Sequence, residues 1–244
     1  MNLLLKHEIT HFNKITQRIK EGIDRVRKTL IGEATMDKGT LELCESLVEG
    51  IVPCSWQKNR INNNQSIHAW VEEHDSRTQF LKDWIEIEEP TVFYFGNFYN
   101  VHELISLTIQ RHSRKHHLSI GDISFEVKVM KGVKPSSLKK PEEGIYLSGV
   151  RLYGASWNPI DEVLVQQLPK QVISDLPILH LIPRESSKIS SENSFMCPVY
   201  KRGDRKGVYS TTGAHTNFLF YANLPSNVDQ KVWIKAGTAL FLSW

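Results

Sequence analysis

The chain has 244 residues, of which 40% are hydrophobic and 23% are charged, and its formal net charge is +3. This composition is typical of an ordinary soluble globular protein. Because the lysines and arginines are spread among acidic residues rather than gathered in a stripe, we expect no nucleic-acid partner and no membrane-surface partner.

The first thirty residues carry the most regular apolar pattern of the chain. Eight residues recur at alternating steps of four and three, which on a helix of 3.6 residues per turn forms one narrow line. They are Leu5, Ile9, Phe12, Thr16, Ile19, Ile23, Val26 and Leu30. A helix of about 28 residues would be roughly 40 Å long, which exceeds the span of many small domains. We therefore predict that the apolar members of this line, all except Thr16, dock on a larger structure.

The same helix contains the pattern H-E-x-x-H, as His7-Glu8-Ile9-Thr10-His11. Two histidines four residues apart can bind zinc, and the glutamate can act as general base on a bound water. The context is unfavourable, because only six residues precede His7 and the longer metzincin pattern fails, with Lys14 in place of its glycine and Gln17 in place of its third histidine. A zinc-dependent hydrolase is therefore the alternative function, and a polar flank of an amphipathic helix is the favoured interpretation.

Three further helices are predicted, over residues 40–50, from Ser66 to about residue 85, and over residues 101–117. Ser66 is a good N-cap, and a break is expected near Asp75. The cysteines, Cys44, Cys54 and Cys197, are odd in number and form no CxxC pair, which is typical of a reducing compartment. No apolar run suits a signal peptide or approaches the roughly 18 residues of a transmembrane helix, so we expect a cytoplasmic protein.

The end of the fourth helix is the most basic segment of the chain. His112 and His116 have helical spacing and could bind a metal, but no carboxylate or cysteine lies near them in sequence. Cations suit a helix C-terminus, so no ligand is needed to explain them. The acidic pair Glu142-Glu143 falls in a loop and is expected to be solvated. We therefore predict no metal site.

From about residue 120 the pattern changes to alternation of apolar and polar residues, which is typical of strands. Besides a short run at 91–95, strands are predicted at 123–129, 144–153, 162–168, 177–182, 196–200, 207–212, 217–224 and 232–242. Within 144–153 the apolar parity shifts around Gly149, which suggests a bulge. The predicted fold class is α+β, with a helical subdomain (1–119) and an antiparallel β-barrel-like subdomain (120–244).

No catalytic motif is recognisable. There is no phosphate-binding loop ending in Gly-Lys-Ser/Thr and no G-x-S-x-G nucleophile turn. We therefore predict no catalytic residue and no cofactor in this chain. A barrel that holds a small ligand, with Tyr146, Trp157 and Trp233 as an aromatic platform, is a third possibility, although barrel aromatics are usually core.

Ten segments, taken together and in this order, resemble one family. They are 12–14, 51–53 with Trp56, 80–84, 93–99, 123–127, 141–157, 176–181, 197–201, 210–213 and 232–240. The chain resembles the C-terminal region of dynein heavy chains over essentially its whole length. Modest departures, such as Asn158 where aspartate is usual and Ala236 where arginine is frequent, suggest a divergent branch.

The resemblance implies a helical part and a β-barrel-like part that pack on the AAA+ ring of the same heavy chain. In that family the region binds no nucleotide and tunes the output of an ATP-driven, minus-end-directed microtubule motor. ATP and magnesium would be bound elsewhere in the intact heavy chain. The implied partners are the ring and, through the intact motor, microtubules and other dynein subunits. The implied location is the cytoskeleton, in the cytoplasm or in the axoneme of a cilium or flagellum.

Overall fold

A computed structural model of the chain describes residues 1–56, 66–189, 193–201, 205 and 217–242. The chain divides into two compact units, Met1–Glu89 and Pro90–Trp244. In the described residues the helices are α1 (Asn2–Leu30), α2 (Lys38–Val48), α3 (Ile67–Glu86), α4 (Val101–His116) and α5 (Gln230–Ala236). The strands are β1 (Val92–Tyr94), β2 (Ile123–Val129), β3 (Ile145–Ser148), β4 (Arg151–Tyr153), β5 (Ser156–Asn158), β6 (Val163–Val165), β7 (Ile173–Asp175), β8 (Leu179–Glu185), β9 (Ser194–Tyr200), β10 (Phe218–Pro225) and β11 (Ala239–Phe241).

The first unit contains α1, α2 and α3. The side chain of Asp37 caps α2 by accepting a hydrogen bond from Thr40 N at 2.7 Å. As predicted, Ser66 caps α3, and its hydroxyl accepts from Ala69 N at 3.3 Å. The break expected near Asp75 is wrong, because α3 is continuous and residues on both sides of that position belong to one buried face, which includes Trp70 and Leu81.

A row of four aromatic rings connects α1, α3 and Trp56 in the first unit. The Phe12 ring on α1 stacks on His74 of α3 with ring centroids 4.5 Å apart. On its other side His74 stacks on Trp70, with centroids 5.2 Å apart, and Trp70 lies 5.8 Å from Trp56. Gly22 lets α1 approach this region, because a Cβ there would lie only 3.1 Å from Leu43 Cδ2 and 3.2 Å from Trp56 Nε1.

The second unit contains the strands. They form a four-stranded sheet of order β1-β3-β8-β2, a five-stranded sheet of order β10-β9-β11-β4-β7, and the β5–β6 pair. Strand β10 packs against β2, and the rings of Phe125 and Phe220 lie 5.3 Å apart between them. The α+β class is therefore confirmed. The sheets are mixed rather than antiparallel throughout, because β1 pairs with β3 and β9 pairs with β11 in parallel. No closed barrel is found among the described strands.

The predicted strand over residues 144–153 is two strands that belong to different sheets. β3 pairs with β1 and β8, whereas β4 pairs with β11 and β7. The change of sheet occurs at Gly149, whose φ is +80° and where a Cβ would lie 2.3 Å from the Tyr94 ring. The shift of apolar parity around Gly149 therefore marks a change of sheet, which is a larger break than the predicted bulge.

The strand predicted at 232–242 is wrong in its first half, where α5 lies. Asp229 caps α5 by accepting from Lys231 N at 2.8 Å, and Gly237 ends the helix in a left-handed conformation with φ +65°. These terminal signals outweigh the apolar alternation of so short a segment. Only β11 remains of the predicted strand. The short strands β5 and β7 were missed, and the strand predicted at 207–212 lies outside the described residues.

The division between units differs from the predicted one. We predicted a boundary between residues 119 and 120, whereas the compact units divide between Glu89 and Pro90. The reason is that α4 packs against β2 and β8 and so belongs with the strands. In the part of the chain that the structure describes, every helix is too short or too polar to cross a membrane.

Candidate functional site

The H-E-x-x-H motif lies in the first half of α1. His7 and His11 are exposed, whereas Glu8 is buried, with only 2% of its surface accessible. A zinc site requires a third protein ligand close to the two histidines. Among the described residues, the only histidine, cysteine, aspartate and glutamate group that brings three ligand atoms together does not include His7 or His11. The geometry therefore gives the zinc-hydrolase alternative no support.

The buried line of α1 is offset from the predicted one. Its buried members are Leu4, Glu8, Ile15 and Gly22. Glu8 was assigned to the polar surface, and no local signal in the sequence indicates its burial. Among the predicted docking residues, five are half-buried and two are exposed: Leu5, Ile9, Phe12, Ile19 and Val26 are half-buried, and Ile23 and Leu30 are exposed.

The apolar face of α1 is therefore wider than the line of residues that α1 buries within the first unit. Leu5, Ile9 and Ile23 each directly follow a buried position, so they lie about 100° further around the helix. Leu30 continues this row two turns beyond Ile23. The exposed fraction is 49% at Ile23 and 74% at Leu30. We call Leu5, Ile9, Ile23 and Leu30 the open flank of α1.

The proposed aromatic platform is not available to a ligand. Trp233 lies on α5 and is completely buried, and its Nε1 donates to Ser226 Oγ at 2.7 Å. Tyr146 on β3 is also buried, and its ring packs against His180 with centroids 4.5 Å apart. Trp157 on β5 is half-buried. Two of the three rings therefore belong to the core, and the ligand-binding alternative loses its site.

A cluster of which the sequence indicated only the two histidines lies at the end of α4. His112 and His116 occupy successive turns, with ring centroids 4.3 Å apart, and His116 Nε2 lies 2.8 Å from Glu143 Oε1. The ligand atoms of His112, His116 and Glu143 all lie within 4.8 Å of one another. We call these three residues the α4 cluster. Glu143, expected to be solvated, has only 23% of its side chain exposed.

Charged neighbours hold the Glu143 carboxylate in place. Lys115 Nζ lies 3.6 Å from Oε1, and Arg184 Nη1 lies 3.4 Å from Oε2. Arg184 also contacts Glu126, with its Nε 3.4 Å from Glu126 Oε2. Burial raises the pKa of the Glu143 carboxyl, but the hydrogen bond with His116 and the nearby positive charges outweigh it, so the pKa lies below its usual value. Glu143 is therefore ionised at neutral pH.

The backbone next to Glu143 is equally constrained. Gly144 has φ +79°, and a Cβ there would lie 1.9 Å from the carbonyl oxygen of Leu181 on β8. His180 Nε2 donates to the carbonyl oxygen of Glu143 at 2.9 Å. Burial lowers the pKa of both His180 and His112 from the usual value, so both rings favour the neutral form. The position of Glu143 is thus fixed from β8.

Known proteins resemble the chain over nearly its full length. The family described as the C-terminal domain of the dynein heavy chain matches residues 1–242. Dynein axonemal heavy chain 1 of Rattus norvegicus is 30% identical over 240 residues, which are 98% of this chain and 5% of that protein. Dynein axonemal heavy chain 3 of Mus musculus is 31% identical, over 98% of this chain and 6% of that protein.

A third relative, dynein axonemal heavy chain 12 of Homo sapiens, is 31% identical over 240 residues, which are 98% of this chain and 8% of that protein. The chain therefore spans less than a tenth of the length of these curated relatives. The match to the family covers both units, including α1 and the strands of the second unit. This confirms the resemblance found in the sequence: the chain belongs to the family of C-terminal domains of dynein heavy chains.

Proposed function

We propose that the chain acts as a non-catalytic region of an axonemal dynein heavy chain and packs on the AAA+ ring of the same heavy chain. It would tune the output of the minus-end-directed microtubule motor, while ATP and magnesium are bound elsewhere in the heavy chain. Its location would be the cytoskeleton, in the axoneme. Axonemal proteins among its relatives support this location.

The observation that carries the proposal is the open flank of α1. Isolated exposed apolar residues are common on proteins, but here two half-buried residues, Leu5 and Ile9, and two exposed ones, Ile23 and Leu30, form one row along a helix of 29 residues. At about 1.5 Å per residue the helix is about 43 Å long, so the row could contact more than one subunit of a ring. Most of the other exposed positions of α1 carry polar or charged side chains, such as Lys20 and Lys28, although Leu3 is also exposed.

The proposal predicts that polar substitution of the open flank alters the motor. In the intact heavy chain, Ile23→Ser with Leu30→Ser would remove two apolar contacts, each worth about 1.5–3 kcal/mol when fully buried on a partner. Docking should weaken by about tenfold or more, and gliding velocity and microtubule-stimulated ATP hydrolysis should change. The isolated chain should keep its unfolding midpoint, because both side chains are already exposed.

The matched control is Ile85→Ser with Ile87→Ser, which replaces two exposed apolar residues at the end of α3. The control heavy chain should have the parental velocity and hydrolysis rate. If the open-flank variant also kept the parental velocity and rate, docking through α1 would be refuted, while membership of the family would stand.

A further inference from the structure

We propose that His112, His116 and Glu143 form a zinc-binding site that clamps the end of α4 to the segment before β3. This site is independent of docking through α1, which lies in the other unit. Two imidazoles and one carboxylate are a common protein ligand set for zinc, and a water completes the tetrahedron. Calcium and magnesium prefer oxygen ligands alone, so the donor set favours zinc over both.

The three donors are already close to the required spacing. Neighbouring ligand atoms in a tetrahedral site with Zn–N distances of about 2.0–2.1 Å lie about 3.4 Å apart. The ligand atoms of the α4 cluster lie within 4.8 Å of one another, and one pair is at 2.8 Å. The donors are therefore near the spacing that zinc requires, and we expect small side-chain adjustments, mainly of His116 and Glu143, to complete the site.

The surrounding structure restricts the positions of the residues in the α4 cluster. His112 is buried, so its ring has little freedom to move. Gly144 seats the backbone on β8, and His180 holds the carbonyl oxygen of Glu143. Arg184 Nη1 contacts Glu143 Oε2 and can remain as an outer partner while Oε1 turns to the metal. Such outer contacts orient metal ligands and raise affinity.

Lys115 and Arg184 both place positive charge next to Glu143, and Lys115 faces Oε1, the oxygen that would bind the ion. The Lys115 ammonium lies 3.6 Å from Glu143 Oε1 and would repel a divalent cation there. Its side chain is largely exposed, so it can turn into solvent when zinc binds. Removal of this charge should therefore tighten zinc binding, whereas removal of a ligand should weaken it. If the cluster were only a network of salt bridges that does not bind zinc, neither substitution would change the affinity for zinc.

The experiment uses the full 244-residue chain, purified without a histidine tag. Zinc binding is measured by isothermal titration calorimetry with zinc chloride, and the unfolding midpoint is measured by thermal unfolding with and without the metal. We expect one zinc per chain and a rise in the unfolding midpoint that magnesium chloride does not produce. Glu143→Gln and His112→Ala should each weaken binding by about a hundredfold or more, and Lys115→Gln should strengthen it by about threefold or more. His116→Asn removes the remaining ligand at an exposed position, where a folding defect is not expected, and should also weaken zinc binding.

The matched control is His68→Ala on α3, because His68 Nε2 lies 3.4 Å from Glu72 Oε1 as an exposed pair. It should bind zinc like the parent chain. Absence of zinc binding by the parent would overturn the proposal. Binding that persists in Glu143→Gln and His116→Asn would also overturn it. If His11→Ala alone abolished binding, the zinc would lie at the motif on α1 instead of the α4 cluster.

Discussion

His116 Nε2 on α4 lies 2.8 Å from Glu143 Oε1, although the two residues are 27 positions apart in the sequence. The connecting segment includes strand β2. Glu143 lies just before β3, which pairs with β8, and α4 packs against β8, so Glu143 is brought to the end of α4. A pair of histidines with no carboxylate nearby in sequence is thus joined by a carboxylate in space, so three groups that could hold a metal lie together. The fold of the second unit supplies the third.

Gly144 should tolerate no side chain. Gly144→Ala would strain a left-handed backbone, at about 1–2 kcal/mol, and bring a methyl group 1.9 Å from Leu181 O, which forces a shift costing about 1–3 kcal/mol more. We expect the free energy of unfolding to fall by about 3 kcal/mol, measured by denaturant titration. Gly132→Ala is the control, because Gly132 also has positive φ but open space around it, and it should lose only about 1–2 kcal/mol. Equal losses would show that the contact with β8 is unimportant.

Ser226 should stabilise the fold through its hydrogen bond with Trp233. Its hydroxyl accepts from Trp233 Nε1 at 2.7 Å, and Ser226→Ala would leave that buried indole N–H unpaired. We expect a loss of about 1–3 kcal/mol in unfolding free energy. In a Trp233→Phe background the same change should cost less, because the donor is already gone. Ser186→Ala removes an exposed hydroxyl and should change stability by about 0.5 kcal/mol or less. Additive losses would contradict the coupling.

His74 should make the chain sensitive to acid. Burial between Phe12 and Trp70, and secondarily the positive charge of Arg77, lower the pKa of His74 from its usual value of 6.5. The unfolded chain therefore takes up a proton near pH 6.5, while the folded chain resists protonation until a lower pH. The contribution to stability is complete above pH 6.5 and decreases as the pH falls through that value.

Thermal unfolding between about pH 7.5 and about pH 5.5 measures this effect. His74→Phe keeps a ring in the stack and removes the titrating group, so its unfolding midpoint should fall less on acidification than that of the parent. The exposed His68→Gln variant should behave like the parent. An unchanged acid response in His74→Phe would assign the sensitivity to other histidines.

Gly22 should be required for the packing of α1 on its own unit. A larger side chain there would collide with Leu43 and Trp56, since even a Cβ would lie 3.1 and 3.2 Å from their atoms. We expect Gly22→Val to reduce the unfolding free energy by about 1–3 kcal/mol. Gly39→Val is the control, because the nearest atom to its Cβ is 3.6 Å away on the side chain of Asp37. Equal loss in both variants would show that the approach of α1 is not tight.

Local sequence patterns predicted four of the five helices that the structure describes and most of the described strands. The apolar periodicity of residues 2–30, the cap at Ser66 and the alternation of residues 123–129 all act through neighbours a few positions away, and the corresponding elements α1, α3 and β2 form. The ordered set of motifs was also sufficient to identify the family. Where local signals competed, as in α5, the caps at Asp229 and Gly237 prevailed over alternation.

Only the tertiary structure decided which flank of α1 is buried and which residues meet at the end of α4. The apolar stripe of α1 is wide enough to permit two orientations, and in the observed one Leu43 and Trp56 pack closely against Gly22. The sheet order brings Glu143 to the histidines of α4 through pairings between strands far apart in sequence. Periodicity predicts a helix or a strand because it depends on residues a few positions apart. The buried face of a helix and the register of a strand depend instead on the elements that pack against them, which are distant in sequence.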